Sequence, residues 1–147
     1  GHVTYHGPGQ ITAYILIDLN RAEMSVFELI SVLEKTVINT MSKWKVSGNT
    51  DRSARGVYCK SKKKIASIGL RVRRGCTYHG ISFNVDMDMS PWKSINACGL
   101  DLEMTQLKNE TNDYVNFSDV LFIFKKELIK ELGYNNKIAN IVDSTSL

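Results

Sequence analysis

Three short stretches of the 147-residue chain hold residue types that could do chemistry. The first is Thr4-Tyr5-His6-Gly7-Pro8-Gly9-Gln10. Glycines on both sides of a proline fix a tight turn, and glycine lets backbone N–H groups approach a substrate without a side chain in the way. The second is Lys64-Ile65-Ala66-Ser67-Ile68-Gly69. Lys64 opens an apolar stretch, and an amine held partly out of water can act as a base. The third is Asn96-Ala97-Cys98-Gly99-Leu100. A cysteine followed by glycine in an irregular loop suits nucleophilic attack: Gly99 leaves room, and a nearby lysine would favour the reactive thiolate. Each stretch also has a plain structural reading, respectively a β-turn, the solvated end of the run Lys60 to Lys64, and a small buried hydrophobe. Cys59 and Cys76, flanked by strand residues, are read as buried hydrophobes.

The elements that must position these residues follow from periodicity. Gln10 to Leu19 is apolar on both faces and reads as a strand buried on both sides. Ser25 with Glu28 three residues later is a capping box, and Val26, Leu29, Ile30, Leu33, Val37 and Met41 recur at helical spacing, giving a helix from Ser25 to Lys43. Ser47 to Gly56 reads as a loop. Val57 to Cys59 is a short strand, and Lys64 to Arg73 and Cys76 to Met87 are longer ones joined by a hairpin turn at Arg74-Gly75. In the first long strand Ala66, Ile68, Leu70 and Val72 should face the core, and Gly69 suggests close approach of a backbone or a ligand. An irregular stretch follows from Ser90 to Gly99. A second helix runs from Phe117 to Leu132, with Asp119 in its first turn, a stripe of Val120, Leu121, Phe124, Leu128 and Leu132, and Gly133 closing it. The aromatic residues of the two helices read as core. The last residues, from Asn135 to Leu147, read as a loose tail. The sum is an α+β domain, a mixed or antiparallel sheet flanked by helices.

Composition excludes several classes. Apolar residues make up 43% and charged residues 23%, ordinary globular usage, and two prolines with ten glycines rule out a low-complexity chain. No apolar run approaches the ~20 residues of a membrane span, and no signal-peptide pattern is visible. The length suits one domain over residues 1–147. Three cysteines without a C-x-x-C pair point to a reducing compartment. His2, His6 and His79 form no metal set: His2 and His6 flank a strand-like Val3-Thr4-Tyr5, where a spacing of four is not a ligating face. Charge is uneven. Nine basic and no acidic residues lie between Arg52 and Val85, whereas the rest of the chain carries ten basic and fifteen acidic. Such a segment attracts an acidic partner, or is simply a solvated hairpin.

Taken in order, four stretches resemble the lipoyl(octanoyl) transferase family, the octanoyl-carrier-protein:protein N-octanoyltransferases of lipoate biosynthesis. They are GHVTYHGPGQ (Gly1 to Gln10), KIASIGLRV (Lys64 to Val72), TYHGISFNVDMD (Thr77 to Asp88) and INACGLDLEMTQL (Ile95 to Leu107). The match covers almost all of the chain up to the second helix. The resemblance implies the catalytic-domain fold of biotin and lipoate protein ligases, a mixed sheet flanked by helices. It implies that Cys98 takes the acyl group as a thioester and that Lys64 favours its thiolate and acts as general acid and base. Gly1, His2, Val3, Thr4, Tyr5, His6, Ser67, Ile68, Gly69, Gly80, Ile81 and Ser82 would line the acyl site, with His79 and Asn84 supporting its shape. Ile68, Ile81 and Phe83 are candidate walls for the eight-carbon chain. The implied donor is octanoyl-acyl carrier protein. The implied acceptors are the lipoyl domains of 2-oxoacid dehydrogenases and the glycine cleavage H protein. Thioester to thioester to amide runs downhill, so no cofactor, ATP or metal is needed. A cytoplasmic monomer that binds neither nucleic acid nor membrane is expected. Ala97 stands where the family usually has Pro. Of the Arg-Gly-Gly that opens the family's first motif only Gly1 is present, so an N-terminally truncated domain is expected, lacking part of the sheet and one wall of the acyl site.

Two other readings compete. One is an ATP-dependent lipoate or biotin ligase of the same fold, which needs no cysteine; the His6 to Gly9 turn and Cys98 argue against it. The other is a nucleic-acid module built on the basic segment, but between Arg52 and Arg74 only Tyr58 could supply a stacking platform.

Overall fold

A computed structural model describes residues 3–95 and 102–133. Cys98 with its neighbours Asn96, Ala97 and Gly99, Gly1, His2 and the expected tail from Asn135 to Leu147 lie outside the described residues. The strands are β1 (Gln10–Tyr14), β2 (Gly48–Thr50), β3 (Gly56–Cys59), β4 (Lys64–Ile68), β5 (Arg71–Arg73), β6 (Cys76–Tyr78) and β7 (Gly80–Asn84), and the helices are α1 (Val26–Ser42), α2 (Leu107–Glu110) and α3 (Phe117–Glu131). A five-stranded sheet has the order β1-β7-β4-β3-β2, and β5 and β6 form a separate two-stranded ribbon. The strand pairs are antiparallel, and one isolated parallel bridge joins Lys64 to Met104. The α+β expectation holds.

Helix α1 starts where its capping box predicts. Ser25 Oγ accepts from Glu28 N–H at 3.2 Å, and Ser25 N–H donates to Glu28 Oε2 at 2.7 Å. Its face of Leu29, Leu33, Val37 and Met41 is fully buried against the sheet. Helix α3 begins one residue after Asn116, whose side chain caps the Asp119 N–H, and Val120, Phe124 and Leu128 are buried while Leu121 and Leu132 are half-buried. Gly133 closes it with φ +76°. The two helices pack on each other and are tied by Asn39 Nδ2, which donates to Glu127 Oε2 at 3.3 Å and Glu131 Oε1 at 3.1 Å.

Several boundaries differ from the sequence reading. The first strand ends at Tyr14 instead of Leu19. Among the described residues it lies at the sheet edge, paired with β7 alone, and Tyr14 is exposed; beyond it the chain crosses to β6, where Thr77 N–H donates to Ile17 O at 2.9 Å. The presumed loop from Ser47 to Gly56 contains β2. Each long strand of the expected hairpin is broken in two. One breaks at Gly69-Leu70, and the other at His79, whose φ is +60°. The breaks detach β5–β6 from the main sheet. Val72, expected in the core, is therefore 45% exposed, and Cys76, also expected inside, is exposed. Cys59 is buried as expected.

Candidate active site

Register decides which side chains share the sheet face opposite the helices. Thr12 pairs with Ser82, Ser82 with Ser67, and Ser67 with Gly56. These small residues form one row across four strands. Phe83, one residue along, points the other way. It is fully buried and its ring stacks on Phe124 with centroids 6.4 Å apart, so it is helix-side core and not a wall of the site.

A shift of register brings Lys64 to this face. Val57 pairs with Ala66 but Tyr58 pairs with Lys64, so Ile65 is the extra residue of a bulge. Strict alternation would have put Lys64 on the helix side with Ala66; one inserted residue reverses it. Ile65 joins the core at 0% exposure. The Lys64 side chain crosses Gly56 and brings Nζ 5.7 Å from the centre of the Tyr58 ring. Lys64 is only 4% exposed, so it is no solvated end of a lysine run. Gly56 has φ +146°, and a Cβ there would strike the Ala66 carbonyl and the Lys64 side chain.

The face opens into a cavity of about 660 Å³, within the ordinary range for small-molecule sites, roughly 300–1,000 Å³. Of the residues singled out in the sequence, Thr4, His6, Lys64, Ser67, Ile68, Gly69, His79, Gly80, Ile81 and Ser82 line it. At Gly69 the backbone N–H donates to Gly80 O at 2.8 Å, yet a Cβ added there would meet nothing within 4 Å among the described residues. Its open side is the cavity side. Val3 and Tyr5 are not in the lining. Val3 is 67% exposed, and the Tyr5 ring lies over Gly7 and meets Trp92 edge-on at 5.9 Å. Thr12, Ala13, Tyr14, Leu70 and Arg71 line the cavity and were not anticipated. The signal for Thr12 and Tyr14 was present as their period-two placement in a strand otherwise read as uniformly apolar.

Beneath the cavity a hydrogen-bond network fixes the first motif. Pro8-Gly9 forms a turn closed by Gln10 N–H to Gly7 O at 3.3 Å; Gly9 has φ +84°, and a Cβ there would strike the Asp86 carbonyl. Asn84, 1% exposed, donates through Nδ2 to the Thr105 carbonyl at 3.0 Å. A carbonyl only accepts, so Asn84 Oδ1 must face Gln10, whose Nε2 donates to it at 2.9 Å and to Tyr5 O at 3.1 Å. Gln10 Oε1 is then left to accept from Thr12 Oγ1 at 3.2 Å and from His6 Nδ1 at 2.8 Å. Thr105 closes the circuit, donating its N–H to Lys64 O at 2.8 Å.

Comparison with known proteins fits this architecture. Residues 1–129 match the family model of the lipoyl protein ligase A/B catalytic domain, and the chain belongs to that family. Solved structures of the same fold include a biotin protein ligase from Aquifex aeolicus in complex with biotin and ATP, at TM-score 0.68 and 18% identity over 85% of this chain and 50% of that one. They also include a bi-partite lipoate protein ligase from Thermoplasma acidophilum, at TM-score 0.69 and 14% identity over 90% and 55%. Among curated relatives, the octanoyltransferase of Marinomonas sp. (strain MWYL1) is 45% identical over 92% of this chain and 63% of its own length. That of Azotobacter vinelandii is 43% identical over 91% and 62%. The chain thus spans a little under two thirds of the length of these relatives.

Proposed function

We propose that this protein transfers an octanoyl group from octanoyl-acyl carrier protein to a lysine of a lipoyl domain through a thioester on Cys98. The observation that carries the reading is Lys64, a buried amine turned by a bulge into a cavity of substrate size. The chain returning from Cys98 supports it. Glu103, five positions later in sequence, accepts the Lys64 N–H at 2.9 Å, and so short a tether reaches at most about 18 Å.

In the first half-reaction Lys64 takes the proton of the Cys98 thiol. The thiolate attacks the thioester carbonyl, and the C–S bond to pantetheine breaks. The departing sulfur receives that proton. In the second half the acceptor amine displaces Cys98. Each step is thermoneutral or downhill, so the reaction needs neither ATP nor metal. His79, which lines the cavity at the strand break, and Asn84, buried in the network below, would support the shape of the acyl site. On β5–β6, Arg71 lines the cavity, and Arg73 is exposed on the same face of the strand; both suit an acidic carrier protein. The acceptors on this reading are lipoyl domains of 2-oxoacid dehydrogenases and the glycine cleavage H protein, and the protein works as a cytoplasmic monomer. Among the described residues no helix is long and apolar enough to cross a membrane.

The test is an intact mass measurement after incubation with octanoyl-acyl carrier protein. A gain of one octanoyl group, lost in Cys98→Ser, is expected. No adduct, or an adduct that survives Cys98→Ser, overturns the proposal, and pyrophosphate release from ATP and free octanoate would replace it with a ligase.

A further inference from the structure

We infer that His6 is the base that accepts a proton from the incoming lysine of the acceptor domain, a role that rests on the transferase reading and is separate from that of Lys64. The Thr105 carbonyl can only accept. It orients the Asn84 amide, Asn84 orients the Gln10 amide, and Gln10 therefore presents only its oxygen to His6. His6 Nδ1 must carry a hydrogen. In the neutral ring the lone pair is then on Nε2, the nitrogen on the far side from Gln10. His6 lines the cavity, and among the described residues its hydrogen-bond partner is Gln10, which leaves Nε2 without one.

The reaction needs such a group. The acceptor lysine arrives as an ammonium, which has no lone pair to attack with. On the transferase reading Lys64, itself an amine in the same cavity, moves a proton between two sulfurs in the first half-reaction. An imidazole suits the second. His6 Nε2 takes one proton from the ammonium, and the neutral amine attacks the Cys98 thioester carbonyl. The C–N bond forms and the C–S bond breaks; the second amine proton goes to the Cys98 sulfur, and His6 releases its own to solvent. Charge and atoms balance without a further reagent. The fixed tautomer serves this step, because a ring with the hydrogen on Nε2 could not accept there. Thr12, which donates to the same Gln10 oxygen, helps to keep that oxygen an acceptor.

The experiment compares two acceptors on the octanoylated protein. A lipoyl-domain lysine must be deprotonated; hydroxylamine is an uncharged nucleophile at neutral pH. In His6→Gln, or His6→Asn if the first variant fails to fold, the ratio of the rate with lysine to the rate with hydroxylamine should fall by roughly 10²-fold or more, the range of a lost general base. The deficit should narrow as pH rises and the lysine deprotonates by itself. An unchanged ratio, whether both rates fall together or neither falls, overturns the role of His6. A parent protein that forms no acyl adduct at all overturns the transferase reading instead.

Discussion

The Lys64 side chain lies in the space that a Cβ on Gly56 would fill, at 2.5 Å from such an atom to Cε and 3.3 Å to Nζ. The two residues share a face only because of the bulge at Ile65. Gly56 also has a φ of +146°, where a side chain is strained whatever the space. Gly56→Ala is therefore expected to destabilise by about 1–3 kcal/mol and to displace the Lys64 amine. Urea unfolding should show a lower midpoint, and acylation of Cys98 should slow even where the variant remains folded. A variant with parental acylation would mean that the path of Lys64 over Gly56 is not needed.

Much of this arrangement was legible in the sequence, and the part that was not has a common cause. The α1 capping box, the α3 stripe and the turn at Gly9 are local, set by residues a few positions apart. The motif segments carrying His6, Lys64, Ser67 and Ser82 were also found, and all four line one cavity. What escaped were features of pairing. The face of Lys64 depends on a single unpaired residue opposite β3, and the detachment of β5–β6 depends on where β4 and β7 stop bonding to each other. Phe83 looked like a wall because its neighbours line the site; alternation sends it to the helices. The Gln10–Asn84 bond spans 74 positions and left no periodic trace.

The β5–β6 ribbon is expected to set the electrostatics of donor docking. Arg71 pairs with Tyr78 and Arg73 with Cys76, so these exposed side chains occupy one face, with Arg74 at the turn. Arg73→Glu combined with Arg74→Glu should raise the KM for octanoyl-acyl carrier protein about tenfold or more and flatten its dependence on salt. Octanoyl-pantetheine, a donor without the acidic protein, should be used equally by parent and variant. A KM for the carrier-bound donor that does not move would show that this ribbon lies outside the docking surface.

Glu34 of α1 carries a pH dependence of stability. It is 5% exposed, and its Oε1 has no hydrogen-bond partner among the described residues. Burial raises its carboxyl above the ordinary value of 4.5, and the Gly56 N–H and the charge of Arg55 only partly offset this. The folded chain thus holds the proton more tightly than the unfolded one. The stabilisation is complete below pH 4.5 and is lost as pH rises through the higher folded value. Glu34→Gln keeps an acceptor for Gly56 and removes the buried charge. At neutral pH its Tm should exceed the parent's by about 2–4 °C, corresponding to roughly 0.5–1 kcal/mol. The advantage should shrink on acidification; a constant offset from acid to neutral pH would locate the cause elsewhere.

Cys59 and Cys76 should differ sharply towards thiol reagents, although in sequence both look like strand cysteines. Cys59 is 3% exposed, and burial first, then the carboxylate of Glu110, pushes its thiol up to about 12. At neutral pH the thiolate is then only about one part in 10⁵, and the sulfur is also screened from solvent. Cys76 is exposed because β6 left the main sheet at His79. Iodoacetamide at neutral pH should therefore modify Cys76 in the native protein and leave Cys59 untouched until denaturant is added, as read by peptide mass spectrometry. Labelling of Cys59 at the same rate as Cys76 under native conditions would mean that the β2–β3 end of the sheet opens readily, and that the core beneath Val57 is less secure than its packing indicates.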